Sequence, residues 1–119
     1  FVIISSVSAA ESDSGGSYGP IKAALIHYAK GLARQYAKNH VRVNVVSPGT
    51  VYHDGSVWQM VEKNMPEVFK SSVARNPMGR MARPQEVANA AVFLASPRAS
   101  FVTGANLVCD GAITQRVGF

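Results

Sequence analysis

The chain has 119 residues, 47% of them hydrophobic and 16% charged, which is enough for one small domain with a real core. No run approaches the roughly 18 apolar residues of a membrane span, and the first residues lack a signal-peptide pattern. The net charge of +5 comes from basic residues scattered along the chain, which argues for a solvated surface and against a nucleic-acid-binding face, while the single cysteine excludes an internal disulfide and agrees with a cytoplasmic location.

Residues 1–4 read as a buried strand already under way, with no turn, cap or initiator methionine before it, so an upstream half is expected. Residues 5–17 are rich in Ser, Gly and acidic side chains, the composition of a loop. A long helix is expected over about 17–39, and Pro20 fits its first turn, where a missing N–H costs nothing. Leu25, Tyr28, Leu32 and Tyr36 form one apolar stripe, and Ile26, Ala29, Ala33 and Ala37 form a second with small side chains. Two apolar sides predict burial on two sides, one by the chain's own sheet and one by a symmetry-related helix.

The next strand is expected over 41–46, interrupted by the polar residues Arg42 and Asn44 and ended sharply by Ser47-Pro48-Gly49-Thr50. Short helices are expected over about 56–64 and 66–75, and a connector over 77–82. A helix over 84–95 should begin with Pro84 in its first turn and Glu86 at its favourable N-terminal end. A last strand over 105–109 closes at Asp110-Gly111. Strands separated by helices imply an α/β chain with a parallel sheet and right-handed crossovers. No internal repeat, low-complexity tract or interdomain linker divides residues 1–119.

The chemistry centres on Tyr18 and Lys22, which lie four residues apart and so share one helix face. An ammonium near a phenol favours the phenolate, which makes an inert hydroxyl a usable proton donor and acceptor near neutral pH. A serine hydroxyl from Ser5-Ser6 could hold the oxygen that gains or loses the proton. Other constellations fail. His27, His40, His53 and Cys109 have no metal-ligand spacing, and no Gly-x-Ser-x-Gly elbow is present.

Ile4-Ser5-Ser6-Val7, Tyr18-x-x-x-Lys22-Ala23-Ala24 and Val41-Arg42-Val43-Asn44-Val45-Val46-Ser47-Pro48-Gly49 together resemble the short-chain dehydrogenase/reductase family. So do Gly79-Arg80-x-x-Arg83-Pro84-x-Glu86-Val87-Ala88, Phe93-Leu94-Ala95-Ser96, Val102-Thr103-Gly104 and Asp110-Gly111, in the family's order. The resemblance is to the family's C-terminal half, and within the family to the branch labelled 3-oxoacyl-carrier-protein reductase. It implies the C-terminal part of a Rossmann-type, doubly wound parallel sheet, here three strands with flanking helices. It also implies an oxidoreductase that moves a hydride between NAD or NADP and a small carbonyl or alcohol substrate.

By the same resemblance, Tyr18 passes the proton, Lys22 binds the nicotinamide ribose and activates Tyr18, and a serine positions the substrate carbonyl. Ser6 matches the family's second serine, whereas the commoner gap back from Tyr18 selects Ser5. Pro48, Gly49, Thr50 and Val51 would lie along the nicotinamide, with Val51 bonding the carboxamide through its backbone. Val7, Trp58 and Met60 are the substrate-side candidates. Trp58, Met60, Met65 and Phe69 fall where relatives form a lid, which suits an apolar or acyl-type substrate, and core packing explains them as well. A dimer or tetramer is implied too. The glycine-rich element for the pyrophosphate, the ribose selector and the family's catalytic asparagine have no counterpart here, so the isolated chain is expected to be inactive. The rival reading is a non-catalytic fragment that keeps only the fold and self-association.

Overall fold

A computed structural model describes residues 1–12 and 15–118. Its order is β1 (Val2–Ile4), α1 (Tyr18–Tyr36), β2 (Asn44–Pro48), α2 (Val57–Asn64), α3 (Pro66–Ala74), α4 (Pro84–Ala95) and β3 (Asn106–Cys109). Short 3-10 turns follow β1, α1 and α4, at Val7–Ala10, Ala37–Asn39 and Pro97–Ala99. The first of these lies in the expected 5–17 loop, of which residues 13 and 14 are outside the described residues.

The three strands form one parallel sheet in the order β1-β2-β3. Ile3 pairs with Val45 and Ile4 with Val46, and on the other side Val46 pairs with Leu107 and Ser47 with Val108. The central strand does not alternate between buried and exposed residues. Asn44, Val45, Val46 and Ser47 are all buried, because helices cover both faces. Ala29 and Ala33 of α1 pack with Val43 and Val45 on one face, joined by Ile3, Ile26 and Leu32. Small alanines let α1 come close to the sheet.

α4 lies on the opposite face. Val108 shares a cavity wall with Ile26 and Lys30 of α1, whereas Cys109, one residue on, points its Sγ at the Glu86 carbonyl of α4 at 3.8 Å. Helices on both faces make the sheet doubly wound, as expected. The hand of the crossovers departs from expectation. Both connections step the same way across the sheet, yet they run over opposite faces, so one is right-handed and the other left-handed. The β2–β3 connection contains α2 and α3 as well as α4.

Two polar residues inside the expected 41–46 strand act as fasteners. Arg42 donates from Nη1 to the Leu94 carbonyl at 2.6 Å and the Val102 carbonyl at 3.2 Å, and from Nη2 to the Ser96 carbonyl at 3.1 Å, which satisfies carbonyls at the end of α4. Asn44, fully buried, accepts from the Ala105 N–H at 3.0 Å and donates to the Val102 carbonyl at 2.8 Å. These contacts, with Val41 still bonded to the Tyr36 carbonyl, delay the strand to Asn44–Pro48. The helix ends otherwise follow the local signals. Ser56 Oγ accepts from Gln59 N, Pro66 and Pro84 open α3 and α4, and Glu86 accepts from the Arg83 N–H at 2.8 Å.

The chain's own sheet covers Ile26, Ala29 and Ala33 of the second stripe of α1 and reaches Leu32 of the first. Leu25 and Leu32 are half-buried, but Tyr28 is 61% exposed and Tyr36 41%. The expected two-sided burial is therefore one-sided in the single chain, since one sheet face can meet only one side of a helix. Replacing Asn44 with leucine, which has the same branching but no polar atoms, should leave the Ala105 N–H and the Val102 carbonyl buried and unpaired. The expected loss is about 2–4 kcal/mol, read as a lower urea midpoint at unchanged slope.

Candidate active site

The strand ends converge at Ser5, Pro48 and Asp110, the edge where parallel sheets place their ligand crevices. Ser5 continues the ladder, donating its N–H to the Val46 carbonyl at 2.8 Å. Its side chain is buried, 3% exposed, and its Oγ donates to the Lys22 carbonyl at 2.7 Å. That bond uses the hydroxyl's single proton to fasten the first turns of α1 to the end of β1. Ser6 is left with a different role. Its Oγ accepts from the Ser8 N–H at 3.1 Å, keeps its own proton, and faces a cavity of about 540 Å³ that Val7 also lines. Trp58 and Met60 do not line that cavity.

Tyr18 opens α1 and stands 55% exposed. The Lys22 ammonium lies 5.6 Å from the centre of the Tyr18 ring and donates to the Ile4 carbonyl at 3.2 Å. The phenol and the ammonium thus lie together beside the end of β1, while Ser6, two residues past Ile4, lines a cavity that neither Tyr18 nor Lys22 lines.

At the end of β2, Gly49 donates its N–H to the Cys109 carbonyl at 3.0 Å. A Cβ on Gly49 would sit 2.8 Å from Asp110 Cβ and 3.0 Å from Asp110 Cα, so only glycine lets the two strand ends meet. The next residues cross to the 77–82 connector. Tyr52 N–H donates to the Ala82 carbonyl and Ala82 N–H to the Thr50 carbonyl, both at 2.9 Å, forming a parallel bridge at Val51. This pattern turns the N–H and C=O of Val51 away from the bridge, and neither is bonded among the described residues. Thr50 Oγ1 is buried and has no hydrogen-bond partner among the described residues.

Past β3, the Asp110 carboxylate accepts from the Ala112 N–H at 2.9 Å, the Thr114 N–H at 3.0 Å and the Thr114 hydroxyl at 2.6 Å. Burial pushes its pKa up, but the bonds from Thr114 and Ala112 outweigh that and leave it below the ordinary aspartate value. Asn76 braces this turn, donating to the Asp110 carbonyl at 3.1 Å and accepting from the Met78 N–H at 2.9 Å. The sequence reading missed Asn76 and the supporting Ser47–Asn106 pair, 2.6 Å apart; the Asn-Pro dipeptide at 76–77 was the one available signal for the former.

The α2–α3 segment is tied down at its roots. Tyr52 donates to Glu62 at 2.9 Å, which raises the Tyr52 pKa, and its ring meets Phe69 edge-on at 5.8 Å. Phe69 therefore packs on Tyr52, while Met60 and Met65 are exposed. Arg80 grips Glu86 with two nitrogens, at 2.8 and 2.6 Å. The Arg80 guanidinium, helped by the Arg83 N–H, holds the Glu86 carboxyl down at about 2. Among the described residues no group of three or more His, Cys, Asp or Glu side chains could hold a metal, and no helix is long and apolar enough to cross a membrane.

Comparison with known proteins places this arrangement. The family described as Enoyl-(Acyl carrier protein) reductase matches residues 1–114. Isoepoxydon dehydrogenase of Aspergillus clavatus is 43% identical over 97 residues, which is 82% of this chain and 38% of that protein. A crystal structure of an oxidoreductase (short chain dehydrogenase/reductase family) from Burkholderia thailandensis superposes with a TM-score of 0.86 at 40% identity, covering 94% of this chain and 43% of the other. The structure of 4-hydroxyisoleucine dehydrogenase complexed with NADH gives a TM-score of 0.85 at 29% identity, covering 98% and 47%. The chain thus spans less than half the length of these proteins.

Gly49→Ala should force the strand ends apart and destabilise the protein by about 1–3 kcal/mol in urea melts, whereas Gly31→Ala, on an open helix face, should be neutral or stabilising. The depressed Glu86 pKa makes a second prediction. Its contribution to stability is complete above the ordinary carboxyl value of 4.5 and is lost as pH falls from there toward about 2. Glu86→Gln should flatten that acid limb of the stability–pH curve.

Proposed function

The chain belongs to the short-chain dehydrogenase/reductase family, and from that footing we propose that it carries the catalytic groups and the nicotinamide-side wall of an NAD(P)-dependent oxidoreductase acting on a carbonyl or alcohol. The observation that carries this reading is the Tyr18–Lys22 pair at the end of β1, where the Lys22 ammonium bonds the Ile4 carbonyl and Ser5 is locked to the helix backbone, with Ser6 next along the chain. Tyr18 is the proton donor to the substrate oxygen in reduction and the acceptor in oxidation. Lys22 keeps a positive charge beside the ring and offsets the negative charge that develops as the proton moves. Ser6, not Ser5, holds the substrate oxygen, because Ser6 retains a proton to donate and faces the cavity.

The residues after β2 fit a nicotinamide. Its carboxamide has donors and an acceptor, which match the unbonded C=O and N–H of Val51, and the unpartnered Thr50 hydroxyl gains a polar neighbour. Pro48 and Gly49 offer a flat wall without a protruding side chain at Gly49. When bound, the nicotinamide supplies or accepts the hydride. Lys22 would hold the ribose hydroxyls of the bound cofactor, and its ammonium already bonds the Ile4 carbonyl at the end of β1. No glycine-rich pyrophosphate element occurs in this sequence, so the reading assigns only the nicotinamide side to these residues.

A homodimer or tetramer goes with the reading. Tyr28 and Tyr36 of α1 on one face, and Val92, Phe93 and Phe101 on the other, are large apolar side chains that the chain leaves exposed.

Tyr18→Phe removes the proton-transferring hydroxyl and nothing else. In the protein as its gene encodes it, kcat for ketone reduction should fall about a hundred- to ten-thousand-fold with cofactor affinity kept. A variant that retains turnover within tenfold of wild type rules out Tyr18 as the acid.

A further inference from the structure

The helix that carries Tyr18 and Lys22 is well packed in its middle and poorly held where those two residues sit. Ala29 and Ala33 of α1 are buried against the sheet, whereas in the first turn only Gly19 is buried, and Tyr18, Pro20 and Ile21 are exposed. Local capping does not make up the difference. Among the described residues Ser17, at the N-cap, makes no side-chain cap bond, and the first turn has no acidic residue to meet the helix dipole. An uncapped, weakly packed helix start opens readily unless something else holds it.

Two bonds cross between this start and the end of β1. Each uses a side chain of one segment and a backbone carbonyl of the other. Ser5 Oγ donates to the Lys22 carbonyl at 2.7 Å, and Lys22 Nζ donates to the Ile4 carbonyl at 3.2 Å. The Ser5 backbone is itself fixed, because its N–H is bonded to the Val46 carbonyl at 2.8 Å. Ser5 is 3% exposed, so water does not compete for its hydroxyl, whereas the bond from the Lys22 ammonium is open to solvent. The buried bond is therefore the firmer of the two. With the Lys22 backbone held by it, the ammonium comes to the Ile4 carbonyl and stands 5.6 Å from the centre of the Tyr18 ring.

We propose that Ser5 is a positioning residue, whose buried hydroxyl sets where the Lys22 ammonium stands and, through Lys22, governs both proton transfer at Tyr18 and the grip on the cofactor ribose. The proposal rests on the dehydrogenase reading above and adds to it a residue that acts only through another. Its role is separable from stability. A carbonyl inside a helix already accepts one bond along the helix and has a second lone pair for Ser5, so removing the hydroxyl orphans no backbone group.

The test uses the protein as its gene encodes it, with fluorescence titration of NADH or NADPH in the absence of substrate and ketone turnover measured separately. Ser5→Ala should keep the urea midpoint near wild type. It should weaken cofactor binding roughly threefold to tenfold and lower kcat about tenfold to a hundredfold. Ser6→Ala should lower kcat with cofactor affinity kept, because Ser6 is assigned to the substrate oxygen alone. In a Lys22→Met background, Ser5→Ala should add less than about twofold to either loss, since its effect passes through Lys22. Ser5→Cys, close in size and a weaker donor, should fall between Ser5→Ala and wild type on both measures, and it carries the test if the alanine variant does not fold. Wild-type cofactor affinity in Ser5→Ala and Ser5→Cys, or a Ser5→Ala loss undiminished by Lys22→Met, overturns the role of Ser5; a Tyr18→Phe defect then leaves the dehydrogenase reading standing. Failure of the wild-type protein to bind either cofactor, with Tyr18→Phe indistinguishable from it in turnover, removes that reading and this proposal together.

Discussion

The buried hydrogen bond from the Ser5 hydroxyl to the Lys22 carbonyl is the contact on which the candidate site depends. It joins the end of β1 to the second turn of α1, two segments that the 5–17 loop, with its 3-10 turn Val7–Ala10, separates along the chain. With that joint made, Lys22 can turn its ammonium back to the Ile4 carbonyl, and Tyr18, one turn earlier, is held beside it. The joint also divides labour between two chemically identical neighbours. Ser5 gives up its proton to the helix backbone, and Ser6, on the other side of the extended chain, presents its hydroxyl to the cavity. A hydroxyl has one proton, so the same serine could not do both.

Close contact at the other two strand ends makes the platform rigid. Gly49 lies against Asp110, and Gly111 lies against Asn76, with no room for a Cβ at either place. The Gly49 N–H donates to the Cys109 carbonyl, and the Asn76 side-chain amide donates to the Asp110 carbonyl. The Val51–Ala82 bridge and the Arg80–Glu86 pair then tie the α2–α3 segment to the sheet at both of its roots. A site supported this way can hold groups in place to within fractions of an ångström, which proton transfer between side chain and substrate demands.

Much of the fold was legible in the residues. The two stripes on α1, the prolines opening α3 and α4, the serine before α2 and the apolar runs of the strands are signals read within a few neighbouring positions, and the helices appear where those signals put them. The Tyr18–Lys22 spacing likewise announced its chemistry, because four residues in a helix always bring two side chains to one face. The strand boundaries were less legible. Arg42 and Asn44 looked like interruptions of a strand, and they proved to be the groups that satisfy α4 and the chain entering β3.

The sequence by itself therefore determined the element types, the parallel α/β class and the pairing of a phenol with an ammonium, since each follows from periodicity and local backbone chemistry. Only the tertiary structure decided which serine is spent and which is free, that the two crossovers differ in hand, that the tyrosine stripe of α1 stays uncovered in one chain, and that Arg116 returns to the cavity of Ser6. Each of these turns on contacts between segments dozens of residues apart, such as Arg42 with Leu94 or Asn76 with Asp110. A polar side chain carries no mark of the distant carbonyl it will satisfy until the sheet and its helices have brought the two together.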